Sequence, residues 1–444
     1  MTSSMYRAHR RALAKRLPDG LIFIEGGREV LRNHDVTYPF RQKSNFLYLT
    51  GIEAPDYALL LNPATGEEIL FVPRIDQKHR VWLGDIPGLK ESKARFGIRT
   101  VAYRDELRTV LKRGKQRRVY GDKDSLRALV PVRAAFEKDS AGFAEAMSEL
   151  RVVKSAEELT LLRQANRVSA AGHHAAMAAT RPGMAEYQVQ AELELAFRRA
   201  GLRHNAYESI VAAGPNSAVL HYHANTARLR RGDFLLIDAG AECKGYAADI
   251  TRTFPVSGVF SPRQRDIYSV VLTTQKRCIS KLMPGVSIGD LHVESARVIL
   301  QGLKDLRLIT GSVDTALESG AYRVFYPHGL GHTLGLDVHD VVGGKKRQVR
   351  RRLPGDPVVR VYRILEPGFV VTMEPGLYFI PALLGDRELR KKYRGLIDFS
   401  KAERFIPLGG VRIEDDVAIT PTGHQNLTTV VKEIEAIEAV CRGE

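Results

Sequence analysis

Along the first 150 residues short apolar runs alternate with turn residues. LIFIEG (21–26), FLYLTG (46–51), ALLLNP (58–63) and EILFVP (68–73) read as strands bounded by Gly, Pro and Asn. Residues 105–113 and 124–137 read as helices. Near residue 150 the period changes. Ser155-Ala-Glu-Glu158 is a capping box, and Leu159, Leu162, Ala165 and Val168 share one helical face, which predicts a helix reaching about Thr180. A second helix over 185–200 stops at Gly201, and Ser261-Pro262 opens a third. A fourth covers 288–305. Between and after them lie FLLIDAG (234–240), DITRTFPV (249–256), FVVTM (369–373) and VRIEDDV (411–417), which read as strands, the first two joined as a hairpin through Gly245. The mixture is α/β (α+β), and the change of pattern suggests two domains, 1–150 and 151–444.

With 444 residues, 44% of them hydrophobic, the chain can bury a sizeable core. No apolar run approaches the ~20 residues that span a bilayer. The basic N-terminus lacks the apolar stretch of a secretory leader; an Arg-rich transit segment stays compatible with its composition, although a strand soon begins at Leu21. Cys243, Cys278 and Cys441 form no CxxC pair, which suggests reduced thiols and a cytoplasmic protein. The net charge is +16. Its densest run, Lys345, Lys346, Arg347, Arg350, Arg351 and Arg352, is flanked by Gly343-Gly344 and Pro354-Gly355 and reads as a loop. No aromatic ladder interleaves with it, so a solvated basic surface is favoured over nucleic-acid binding.

The C-terminal half carries the candidate chemistry. Asp238 ends one strand of the hairpin and Asp249 starts the other, so their carboxylates can meet. Two carboxylates at one point repel each other unless positive charge lies between them. Glu374 follows an apolar strand, Glu414 lies in a strand with Arg412 and Asp416 on its face, and His332 closes the Gly-rich HGLGH. Each residue alone has an ordinary explanation, such as a turn cap or, for Glu414, a pair with Arg412. Five such coincidences are a poor account of the set. Asp238, Asp249, His332, Glu374 and Glu414 suit two divalent cations, and oxygen-rich ligation with one imidazole favours Mn²⁺, with Co²⁺, Fe²⁺ or Zn²⁺ also compatible. His173, His174, His223, His292 and His424 have no such partners and read as ordinary polar residues. Gly329, Gly331 and Gly335 lack G-x-G-x-x-G spacing, and neither H-E-x-x-H nor G-x-S-x-G occurs.

At IDAGAECKGYAADITRTFP (237–255), HGLGHTLGLDVHD (328–340), MEPGLYF (373–379) and GGVRIEDDV (409–417) the chain resembles the pita-bread metallopeptidases: prolidase, aminopeptidase P, methionine aminopeptidase and creatinase. The likeness extends through RNHDVTYPFRQKSNFLYLTG (32–51) and FVPRIDQKHRVWLGD (71–85), so it covers essentially the whole chain, in the two-domain layout of prolidase and aminopeptidase P. It implies a mixed-sheet creatinase-like N-terminal domain that limits substrate access and supports oligomerisation, followed by a pita-bread catalytic domain. It implies that Asp249 and Glu414 bridge two metal ions while Asp238, His332 and Glu374 complete the cage. His221, His328 and His339 match active-site histidines of the family, with His221 or His339 at the developing oxyanion and Glu374 moving the proton. Arg412 and Tyr378 join His221 as expected substrate contacts.

The implied reaction is hydrolysis of an Xaa-Pro bond. A dipeptidase must hold a free carboxylate beside proline, and Arg360 is placed like the carboxylate-binding arginine of prolidases. The insertion 380–408 also looks like the prolidase version. Both point to Xaa-Pro dipeptides as substrate, with aminopeptidase P action on longer peptides as the alternative and a non-catalytic binding module as a lesser one. The resemblance suggests a homodimer or dimer of dimers. Trp82 matches a region that approaches a neighbouring subunit in relatives, burial in its own domain being an equal expectation.

Overall fold

In the computed structural model, residues 3–113, 117–129, 136–344 and 363–444 are described. They divide into two units, Met1–Arg151 and Val152–Glu444. Arg360 and the basic run Lys345–Arg352 lie outside the described residues.

The first unit is built on a six-stranded mixed sheet. Its order is Thr100–Tyr103, Glu67–Val72, Ala58–Asn62, Leu21–Glu25, Arg118–Tyr120 and Glu137–Asp139. The central pairs are antiparallel, with Phe23 opposite Leu60 and Leu60 opposite Ile69; the outer pairs are parallel. Every residue of Leu21–Glu25 is buried. Leu21, Phe23, Leu60, Ile69 and Phe71 pack with Leu107, Leu111 and Leu126 as one core.

Two secondary-structure expectations and one burial expectation fail in this unit. The run 46–51 is not a strand but most of a helix, Ser44–Thr50, ended by Gly51 in the left-handed region at φ 68°. Phe46, Leu47, Tyr48 and Leu49 are all buried, so the run shows neither a period of 2 nor one of 3.6. The helix expected over 124–137 spans only Lys123–Ala128, and a strand occupies Glu137–Asp139; residues 130–135 lie outside the described set. Trp82 is not buried: it is 76% exposed in the helix Gln77–Leu83, between exposed Val81 and Leu83.

In the second unit the helix Ala156–Ala179 opens on the expected capping box, Ser155 Oγ accepting from the Glu158 N–H. Its buried stripe is rotated from the expected one. Leu161, Leu162, Ala165, Asn166 and Ser169 are buried, whereas Leu159 and Val168 are only partly so. Helix pairs (Ala156–Ala179 with Glu186–Arg199, Pro262–Ser280 with Ile288–Asp305) accompany small antiparallel sheets. One sheet joins Ile210–Ala213, Phe234–Asp238 and Thr251–Pro255. Another joins Val370–Met373, Asp415–Thr420 and Gly423–Asn426, and a two-stranded ladder pairs Gly376–Tyr378 with Gly410–Arg412.

Candidate metal centre

The hairpin that carries the two aspartates forms as expected, with Asp238 opposite Thr251. Asp249 lies just before the second strand, and its loop folds back as a smaller ladder turned by Lys244 (φ 49°) and Gly245 (φ 86°). Closure depends on Gly240, where a Cβ would lie 1.8 Å from the Ala248 carbonyl oxygen. Gly331 does the same for His332. A Cβ there would lie 2.0 Å from the Thr372 carbonyl oxygen, and the close approach lets the His332 N–H donate to Thr372 Oγ1 at 3.0 Å.

The strand expected over 411–417 is two strands. Gly410–Arg412 pairs with Gly376–Tyr378, and Asp415–Thr420 pairs with Val370–Met373. Glu414 sits in the break of one chain and Glu374 in the matching break of the other. Their backbone N–H groups leave the ladder, Glu374 donating to Leu330 O at 2.8 Å and Glu414 to Thr251 O at 3.0 Å. The paired break is what frees both carboxylates from strand alternation. Arg412 and Glu414 reach the pocket, whereas Asp416, expected on the same face, turns to the Asp249 backbone N–H at 3.0 Å and to Asn166 Nδ2 at 2.8 Å.

All five expected ligands line one cavity of about 220 Å³, with His221, His328, His339 and Arg412. Ligand atoms of Asp249, His332 and Glu414 lie within 4.8 Å of one another. Glu374 joins through His332, whose Nε2 is 3.5 Å from Glu374 Oε1 and 3.4 Å from Asp249 Oδ2. Asp238 is held at the side by the Tyr207 hydroxyl (2.6 Å, Oδ1) and Arg412 Nη2 (2.5 Å, Oδ2).

This set fits divalent cations. His332 Nδ1 faces the Thr333 carbonyl at 3.1 Å, which can only accept, so Nδ1 carries a proton and Nε2 is the nitrogen that could hold a cation. Burial opposes charge on this imidazole, but Asp249 and Glu374 outweigh it and raise its pKa to about 9: positive charge is favoured at that point. Three of the carboxylates show the converse, while at Asp249 burial is outweighed by His332 and the pKa is lowered. Burial, then repulsion from Asp249 and the other acids, pushes Glu414 well above the usual carboxylate range. Burial also raises Glu374 to about 7 and raises Asp238 in spite of Arg412. A cation among them would relieve both the desolvation and the repulsion.

Behind the acids runs an ordered chain of donors. Arg412 Nη1 donates to the Tyr378 hydroxyl at 3.0 Å, and Arg412 Nε donates to Thr251 Oγ1 at 3.1 Å. Thr251 Oγ1 in turn donates to Glu414 Oε2 at 2.6 Å. His328 Nδ1 faces the Gly329 carbonyl at 2.8 Å, so Nε2 accepts from Tyr378 at 2.8 Å. Burial, reinforced by the Arg412 charge, lowers His328 to about 3 and keeps it neutral. Arg412 and Tyr378, expected to touch substrate, are buried and directed at protein groups. His221 and His339 are exposed on the pocket wall, the His339 ring 4.4 Å edge-on from that of His332. Histidines read as ordinary stay away from the pocket: His173 Nε2 bonds the Ala239 carbonyl at 3.0 Å, and His424 Nδ1 that of Leu282 at 2.9 Å.

Sequence reasoning missed Tyr207, Thr251, Asn166 and the support behind Glu414. Arg252, with no exposed surface, donates through Nη1 to the Glu414 carbonyl at 2.7 Å and through Nη2 to Asp415 Oδ1 at 2.7 Å. Thr251 could have been found, since it follows Asp249 by two on an alternating strand. Tyr207 stands alone in a loop and has no such signal.

Residues 160–421 match the model of metallopeptidase family M24, and residues 6–120 match the aminopeptidase P N-terminal domain. The chain is 37% identical to the Xaa-Pro aminopeptidase of Escherichia coli (strain K12), over 98% of this chain and 97% of that protein. It is 35% identical to the Xaa-Pro dipeptidase of Homo sapiens, over 99% and 94%. The solved structure of Pseudomonas aeruginosa aminopeptidase PepP superposes with a TM-score of 0.88 at 35% identity, covering 100% of this chain and 99% of that one. With the carboxylate–imidazole cluster inside the matched region, the chain belongs to metallopeptidase family M24, its catalytic domain preceded by an N-terminal domain of the aminopeptidase P type.

Proposed function

We propose that the protein hydrolyses the bond between an N-terminal residue and a following proline. The observation that carries this is the convergence of Asp238, Asp249, His332, Glu374 and Glu414 on one small cavity whose wall also presents His221, His328 and His339. The Xaa-Pro class is supported by relatives named as aminopeptidases and dipeptidases of that specificity. The five residues would hold two divalent ions, Mn²⁺ being best suited to four carboxylates and one imidazole. When bound, such ions supply Lewis acidity and a nucleophile at neutral pH.

The remaining work falls to side chains. Glu374, beside His332 Nε2 and partly open to the pocket, takes and returns the proton. His221 and His339, exposed on the wall, offer N–H donors to the scissile carbonyl. His328, held neutral and oriented by Tyr378, presents a fixed imidazole edge. Arg412 favours the charged form of Asp238 and aims it.

Aminopeptidase action on longer peptides is the favoured form. This reading is supported by aminopeptidase P structures that are covered over 99–100% of their length by the whole of this chain. The dipeptidase reading rests on Arg360 and on the human relative. A paired assay with Mn²⁺ decides: faster turnover of Xaa-Pro-Yaa than of Xaa-Pro supports the aminopeptidase, the reverse the dipeptidase, and hydrolysis of neither contradicts the proposal. The exposed Val81-Trp82-Leu83 stretch supports assembly of two copies through the N-terminal unit, and three cysteines outside any disulfide suit the cytoplasm.

A further inference from the structure

The N-terminal unit holds a cavity of about 460 Å³ that takes no part in the chemistry above. One wall is a stripe of the helix Ser3–Arg16, where Arg7, Arg10, Arg11 and Ala14 recur at i, i+3, i+4 and i+7. Arg99 joins them from the segment after the helix Leu89–Phe96. Two acids, Glu67 and Glu68, also line the cavity.

These charges are unequal in what they can offer. Arg10 has no exposed surface and is committed to its own unit: Nε and Nη2 lie 3.0 and 2.9 Å from Glu68 Oε2, and Nη1 donates to the Leu49 carbonyl at 3.0 Å. The pair fixes the floor and cancels its own charge. Arg7 spends one N–H on the Gly97 carbonyl at 3.3 Å. Arg11 and Arg99 are exposed, and among the described residues neither shows a hydrogen bond or ion pair. With Glu67 set against one of them, two positive charges remain, and the complement is a dianion. The volume is that of a small-molecule site and exceeds what a bare phosphate needs. Ala14 and Pro63 give part of the wall an apolar character, and none of the lining residues is aromatic, which disfavours a nucleic-acid strand.

We propose that this cavity binds a small phosphomonoester of sugar-phosphate or nucleotide size. The phosphate sits among Arg7, Arg11 and Arg99, whose planar forks match its oxygens, and the organic part lies against Ala14 and Pro63. The site is separate from the metal centre and stands whether or not the peptidase reading does.

The test is calorimetric titration of the full-length, metal-loaded protein with ribose 5-phosphate and AMP, with ribose and inorganic phosphate as controls. The double variant Arg11→Ala/Arg99→Ala is the comparison, because any phosphate bound at the metal centre persists in it. The expected result is saturable binding of one of the two phosphomonoesters, tighter than inorganic phosphate and weakened at least tenfold in the double variant, with no heat from ribose and peptide hydrolysis unchanged. Equal affinity in wild type and variant overturns the proposal, as does an absence of binding by both esters. Tighter binding of a single-stranded oligonucleotide that the same variant abolishes also overturns it, in favour of a nucleic-acid surface.

Discussion

Arg412 Nη2 meets Asp238 Oδ2 at 2.5 Å, while Nε of the same guanidinium donates to Thr251 and Nη1 to Tyr378. One buried guanidinium therefore positions a proposed ligand directly, a second ligand (Glu414) through Thr251, and His328 through Tyr378. Arg412→Ala strands a buried carboxylate, and the metal-free protein should lose about 3 kcal/mol of stability in urea unfolding. Turnover of the metal-loaded variant should fall by about 10²-fold. Arg412→Lys keeps the charge but not the fork, so it should recover more stability than activity.

Tyr378→Phe removes the hydroxyl that orients His328 Nε2 and receives Arg412 Nη1. The expected effect is a fall of about tenfold in kcat with a smaller change in KM. His328 is lowered to about 3 by burial and by Arg412, so no limb of the pH–rate profile between about pH 5 and 8 should vanish in this variant.

The hairpin needs glycine at 240. A Cβ there would lie 1.8 Å from the Ala248 carbonyl oxygen, so Gly240→Ala should cost about 3 kcal/mol or more in a thermal or urea melt. Gly423→Ala, with nothing within 4 Å of the added carbon, is the matched control and should stay within about 0.5 kcal/mol.

His173 is fully buried, and its pKa is lowered to about 3, chiefly by desolvation. In the unfolded chain it titrates near ~6.5, so between these values the unfolded state binds the extra proton. The stability associated with neutral His173 is whole above ~6.5 and is lost as pH falls towards 3, at about 1.4 kcal/mol per pH unit. His173→Gln should flatten this slope between about pH 6.5 and 5, as read from urea melts at each pH.

Much of this architecture was legible because local rules act locally. Ser155 and Glu158 cap the helix they were expected to cap, and the Phe234–Asp238 hairpin closes at Gly245 as its turn chemistry demands. The helix Ser44–Thr50 was misread because burial on all sides erases periodicity. The break that aims Glu374 and Glu414 was hidden for another reason. Both segments look like uninterrupted strands, and only their pairing with different partners on either side of Glu374-Pro375 and Ile413-Glu414 reveals the switch. Tyr207, some thirty residues from Asp238, is a tertiary contact with no spacing to announce it.

The most direct measurement of the central claim is elemental analysis of the purified chain after loading with Mn²⁺ and removal of unbound metal, beside Asp249→Asn and Glu414→Gln. The account predicts about two ions per wild-type chain, a clear loss in each variant and a parallel loss of Xaa-Pro hydrolysis. Equal metal content in all three proteins, or none in the wild type, would contradict it.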